Sequence, residues 1–248
     1  MDSSRSQALR DMGFTLWARR NLPTLESPAQ PVEPAAPEPA VQPVEIATPE
    51  PQIVPSANPV TVPADWAELE AAVSSCTRCA LAKSRQRTVF GVGARDARWM
   101  LVGEGPGAEE DKRGEPFVGR AGKLLDAMLA ALGLARGEVF ITNIVKCRPP
   151  GNRDPEPTEA EACRPYLERQ IELSDPALIL ALGAVAAHRL LGVETPVGRL
   201  RGRAHEGPGG RPIVVTYHPA YLLRTPSAKR KSWEDLKLAL ATAAPRAP

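Results

Sequence analysis

No stretch of about 18 apolar residues interrupts the 248-residue chain, so nothing in it reads as a membrane-spanning helix. The first residues carry arginine and aspartate where a secretory leader would need an apolar run, so the expectation is a cytoplasmic protein. Cysteine is sparse at four residues and histidine sparser at three. In a reducing compartment so few cysteines argue against a disulfide framework and leave metal ligation or inert buried thiols. No internal repeat is apparent.

Basic residues are missing altogether between Thr24 and Ala64, where five glutamates give a charge of −5. Residues 1–23 carry +2, which leaves +5 for the remainder and a mild preference for a polyanionic partner. Proline is crowded into the acidic stretch, with 11 of 27 lying between Pro28 and Pro63. Prolines remove backbone donors and hold the chain near polyproline II, so residues 24–64 are expected to form an extended linker without a core. The organisation is therefore a short segment 1–23, a linker 24–64 and a domain 65–248.

Within the domain, strand-like apolar runs occur at Trp99–Val102, Val139–Val145, Leu178–Leu182 and Ile213–Thr216. Helical periodicity falls between them, at about Gly119–Leu132, Thr158–Leu173, Ala184–Leu191 and Ser232–Ala243. Alternation of this kind predicts an α/β fold with a mainly parallel sheet and helices on both faces. Ligands then bind beyond the carboxyl ends of the strands, where glycine-rich or polar segments follow Val102, Val145 and Thr216.

The cysteines form one CxxC pair, Cys76 and Cys79, with Cys147 and Cys163 following singly. Four thiolates suit either tetrahedral zinc or a four-iron cluster, and spacing does not choose between them or exclude buried inert cysteines. The loop Gly103-Glu-Gly-Pro-Gly107 lacks the Lys-Ser/Thr ending of a P-loop, although its amides can approach a ligand closely.

With Pro116-Phe-Val-Gly-Arg-Ala-Gly122, Thr142-Asn-Ile-Val-Lys-Cys-Arg-Pro-Pro150 and Tyr217-His-Pro-Ala220, that loop resembles the motif set of the family 4 uracil-DNA glycosylases. The resemblance spans residues 65–243 and includes motif order and cysteine spacing. It implies a three-layer αβα sandwich around a short parallel sheet, and hydrolysis of the bond joining uracil to deoxyribose in DNA. It further implies a 4Fe–4S cluster on Cys76, Cys79, Cys147 and Cys163. One departure is Ala220, where many relatives carry serine, which puts a phosphate contact from that hydroxyl in doubt.

A base must leave the helical stack before chemistry can reach it, at a cost of a few kcal/mol that a pocket must repay. Phe117, in a Gly- and Pro-punctuated loop, is the candidate stacking ring, against the alternative of an ordinary core phenylalanine. The resemblance implies that Asn143 reads the uracil edge, accepting from N3–H and donating to O4; without it, a turn role is the common one for such an asparagine. His218 is implied to donate to uracil O2 as negative charge grows there. Glu104 is assigned to water positioning or site organisation, Gly105 and Glu110 to the pocket, and Asn152 to holding the loop after Cys147. For DNA, Lys112, Arg113, Arg120, Lys123, Lys146, Arg148, Arg153 and Arg224 flank the motifs, with Arg148 and Arg224 preferred, and Leu222 or Leu223 is a candidate wedge or else core.

Two other readings stay open: a glycosylase for other deaminated bases, and an iron–sulfur DNA-binding or electron-transfer module without catalysis. The chain is expected to act as a monomer. Residues 6–21 read as a short helix with Leu9 and Met12 on one face, stopped at Gly13 and followed by Phe14, Leu16 and Trp17. This segment resembles the N-terminal peptide of the psi subunit of bacterial DNA polymerase III, which implies a clamp-loader or replisome partner, against the alternative of a disordered tail whose Trp17 packs onto its own domain.

Overall fold

The computed structural model describes residues 63–243. The expected docking peptide, nearly all of the expected linker and the last five residues lie outside the described residues. The first helix, α1 (Trp66–Ser74), starts where Asp65 Oδ1 accepts the Glu68 N–H at 2.9 Å, and it buries Leu69 and Val73 one turn apart.

Six strands follow: β1 (Val92–Gly93), β2 (Trp99–Gly103), β3 (Phe140–Asn143), β4 (Leu178–Leu182), β5 (Ala204–Glu206) and β6 (Pro212–Thr216). They pair in the order β1-β3-β2-β4-β6-β5; the four central strands are parallel, and only the two outer ones are antiparallel. β2 and β4 are buried along their whole length, which is why they read as unbroken apolar runs rather than as alternating ones.

Side chains still alternate between the two faces. Met100, Val102, Ile179, Ala181, Ile213 and Val215 pack with α1, α4 (Pro157–Ser174) and α5 (Ala184–Leu191). Trp99, Leu101, Ile141, Leu178, Leu180, Leu182 and Val214 pack on the other face with α3 (Arg120–Ala131), α7 (Pro219–Arg224) and α8 (Lys229–Ala243). The result is the αβα sandwich that the alternating pattern predicts. Two short helices, α2 (Ala108–Arg113) and α6 (Val197–Leu200), complete it. Among the described residues no helix is long and apolar enough to cross a membrane.

The run expected as strand over Val139–Val145 pairs regularly only at Phe140–Asn143. Beyond it, Ile144 and Val145 donate to Gly103 O and Glu104 O while the chain leaves the sheet. The last helix begins at Lys229, three residues before the expected Ser232. Register brings Gly103 beside Asn143 and Leu182 beside Thr216, so the central strands end together at one edge of the sheet.

Candidate active site

At that edge Gly103 leaves room that any side chain would fill. A Cβ there would lie 2.4 Å from Asn143 Oδ1 and 2.6 Å from Phe117 Cζ, so the glycine, the amide and the ring face one another. Asn143 is buried, and its Oδ1 has no hydrogen-bond partner. A buried amide oxygen left unpaired costs about 1–3 kcal/mol, a cost that a ligand bringing an N–H to this point would remove. Gly105 follows, with room for a Cβ denied by Val145 Cγ2 at 2.8 Å.

Phe117 has a left-handed backbone, with φ of 53°, which is costly for a bulky residue and must be held by its surroundings. Glu110, on α2, accepts from Val118 N at 3.0 Å and Gly119 N at 3.1 Å, clamping the two residues after the ring. Arg136 binds the carbonyl of Pro116 and pairs with Asp126 on α3. A Cβ on Gly122 would fall 1.7 Å from Phe117 O, so α3 packs directly against this backbone. The ring is buried, with its centroid 5.6 Å from that of His218 and an interplanar angle of 30°.

His218 stands at the N-cap of α7, where its Nδ1 accepts the Ala220 N–H at 3.1 Å. With Nδ1 used as an acceptor, a neutral ring carries its proton on Nε2. Burial, followed by the nearby positive charge of Arg224, lowers the His218 pKa to about 4, so the ring is a neutral donor at ordinary pH. Gly183, directly after β4, has φ of +95° and would put a Cβ 2.9 Å from His218 Cβ. Sequence reasoning missed it, although a glycine closing a buried strand was a signal of the same kind as Gly103.

Glu104 is partly buried, and its pKa is raised to about 7, first by burial and then by the charge and hydrogen bond of Asp154. Asp154 was also missed, and nothing in the sequence links two carboxyls fifty positions apart. A carboxyl with its pKa near neutrality can both hold and release a proton at ordinary pH.

Of the candidate DNA contacts, Arg148 is partly exposed, and Asn152, itself in a left-handed conformation, accepts from its Nε at 2.8 Å. Arg153 is engaged by Glu159 in a two-pronged ion pair. Arg224 is exposed at the end of α7. Two expectations are corrected. Leu222 is 1% exposed, since α7 turns that face onto α3 and α8, whereas its neighbours Tyr221 and Leu223 are 38% and 37% exposed. Lys146 is likewise buried among polar partners rather than presented to solvent.

The four cysteines are free thiols that line one small cavity between α1 and α4, together with Arg85 and Tyr166. Arg85 Nη1 lies 3.2 Å from Cys147 Sγ, and the Lys146 main-chain N–H points at Cys163 Sγ at 3.3 Å. Burial pushes the Cys163 thiol up to about 11 and raises Cys147 as well, so these two sulfurs would stay protonated unless a cation met them. Among the described residues no three Cys, His, Asp or Glu side chains converge tightly enough to hold a single metal ion as they stand. The donor set nevertheless fits a thiolate-bound group: four sulfurs on one cavity, with N–H donors and a guanidinium directed at them.

The family model of the uracil DNA glycosylase superfamily matches residues 90–237. The type-4 uracil-DNA glycosylase of Thermotoga maritima is 46% identical over 170 residues, which cover 67% of this chain and 88% of the relative. That of Archaeoglobus fulgidus is 45% identical over 172 residues, covering 66% and 86%, and that of Pyrobaculum aerophilum is 42% identical over 181 residues, covering 70% and 92%.

Proposed function

The chain belongs to the uracil DNA glycosylase superfamily and excises uracil from DNA, and we propose that Phe117, Asn143, His218 and Glu104 carry the reaction. The observation that carries this reading is the buried, unpartnered Asn143 Oδ1 facing the gap at Gly103. A flipped uracil stacked on Phe117 offers its N3–H to that oxygen and its O4 to the Asn143 amide. Cytosine would present an amino group to the same amide and leave both donors unpaired. His218 donates from Nε2 to O2, where charge accumulates as the N1–C1′ bond breaks; a fixed donor of this kind is worth about 3–4 kcal/mol in the transition state. The Glu104 carboxylate orients a water toward C1′ and accepts its proton as the new C–O bond forms. No lysine reaches the pocket as a nucleophile in this scheme, so the product is an abasic site without strand cleavage.

The test is release of uracil from a uracil-containing oligonucleotide, followed by alkali to reveal abasic sites. Asn143→Ala and His218→Ala should each slow release by at least about 10²-fold. Wild-type rates in both would remove the assignment. For DNA binding, Arg148 and Arg224 supply phosphate contacts, and the exposed Leu223 replaces Leu222 as the wedge.

The cysteine cavity holds a 4Fe–4S cluster in this reading. Four sulfurs lining one cavity, with N–H donors directed at them, suit a thiolate-bound cluster. When bound, the group ties the chain together and takes no part in bond cleavage. Anaerobically purified protein should be brown with about four irons per chain; stoichiometric zinc and a colourless protein would refute the cluster. Residues 6–21, with Trp17 as anchor, act in the same reading as a docking peptide for a clamp-loader assembly. Binding should be abolished by Trp17→Ala, and a chain starting at Asp65 that binds as well as the full one would exclude it.

A further inference from the structure

Lys146 is 1% exposed, in the interior of a domain where a lysine without a purpose is costly to bury. All three of its ammonium donors are used. Nζ lies 2.6 Å from Thr142 Oγ1, 2.7 Å from the main-chain oxygen of Asn143 and 2.7 Å from Gln170 Oε1. The acceptors are themselves fixed: Thr142 Oγ1 and Gln170 Nε2 both donate to Phe90 O at 2.9 Å. The main-chain N–H of the same lysine is directed at Cys163 Sγ. One residue therefore holds the last turn of β3 from beneath while its own backbone is held from the cysteine cavity.

The Asn143 side chain emerges on the opposite face of the sheet from Thr142, at the gap opposite Gly103. It has no hydrogen bond through Oδ1 to fix its position, so its placement depends on the main chain that carries it. Strand β3 ends at Asn143, whose carbonyl accepts from Lys146 Nζ.

We infer that Lys146 is a positioning residue for base recognition, setting the height and orientation of Asn143 through the Asn143 carbonyl. The lysine touches neither base nor sugar. Its three charge-assisted bonds converge on the strand end, and hydrogen bonds of this type are the strong ones in a dry interior. A shift of about 1 Å at a recognition group is enough to cost on the order of 10²-fold in rate. This inference rests on Asn143 reading the uracil edge, and the experiment separates the two.

The experiment is a double-mutant cycle on the full-length holoprotein, with Lys146→Met, Asn143→Ala and the combined variant. It measures kcat/KM for uracil release and the inhibition constant of free uracil, with thermal melting as a check of folding. Lys146→Met should lower kcat/KM by roughly 10–100-fold and weaken free-uracil inhibition in parallel. In the Asn143→Ala background the same change should cost less than about twofold, because the group it positions is gone. Equal losses in both backgrounds would overturn the inference and leave Lys146 a stabilising residue only. Wild-type activity in Asn143→Ala alone would instead strike at the reading of Asn143. If Lys146→Met does not fold, Thr142→Val removes one of the three acceptors without touching the cavity. It should show the same non-additivity with Asn143→Ala, at a smaller size, and strict additivity there would count against Lys146 in the same way.

Discussion

Two titrating residues at the pocket pull the pH dependence of stability in opposite directions. His218 has a folded pKa near 4, below its ordinary 6.5, so the unfolded chain binds the proton more readily. Its contribution is fully present above pH 6.5 and is lost as pH falls toward 4, by about 3 kcal/mol at a pKa difference of this size. Glu104 has a folded pKa near 7, above its ordinary 4.5, so its effect is most favourable below pH 4.5 and declines as pH rises to 7. The two offset each other between pH 4.5 and 6.5. In Glu104→Gln the histidine is unopposed, and stability from urea melts should fall more steeply on acidification than in the wild type; an unchanged slope would show that Glu104 does not titrate there. Activity should rise through pH 7 as Glu104 ionises, and Asp154→Asn should move that rise to lower pH. Glu104 and His218 were legible in the sequence as motif members. Asp154 was not, and Lys146 read only as a DNA-flanking cation, because the approach of one carboxyl to another and the burial of an ammonium exist only once distant segments meet.

At the scale of elements, α7 joins a cap to the proposed donor to uracil in one side chain. His218 Nδ1 satisfies the Ala220 N–H, one of the orphan donors at the helix start, which leaves Nε2 as the ring's donor. His218→Ala loses both, whereas His218→Asn keeps a good N-cap but not the reach of the imidazole. Asn at 218 should therefore recover about 1 kcal/mol of stability over Ala without recovering uracil release, as paired melting and rate measurements would show. Full activity in His218→Asn would mean that only the cap matters. The long elements were readable: Leu178–Leu182 and Ala184–Leu191 have the bounds that their apolar pattern suggests. α2, α7, β1 and β5 were not, since elements of two to six residues take their form from what they pack against rather than from their own periodicity. The burial of the two α7 leucines was half legible: the pair was visible, but which of them turns inward depends on where α3 and α8 lie.

For the molecule as a whole, the cysteine cavity joins chain segments far apart in sequence: the end of α1 and the turn after it, the loop after β3, and the middle of α4. A bound group there shortens the loops of the unfolded chain and so stabilises the domain more than any one contact does. Cys79→Ala should lower the melting temperature and admit a protease first between about residues 75 and 90, ahead of any specific loss in uracil recognition by the protein that remains folded. Cleavage that begins instead in α8 would show that the cavity does not restrain the start of the domain. The borders of the sheet have a different consequence. β1 is two residues long, with Val139 O directly beneath Gly93, and β5 is three residues long, followed by the Pro208–Gly210 turn. Among the described residues, neither border offers a long run of amides and carbonyls for a strand from a neighbouring copy. Copies of the described domain meeting along one stretch of DNA therefore find only two or three residues of strand at either border on which to extend a shared sheet.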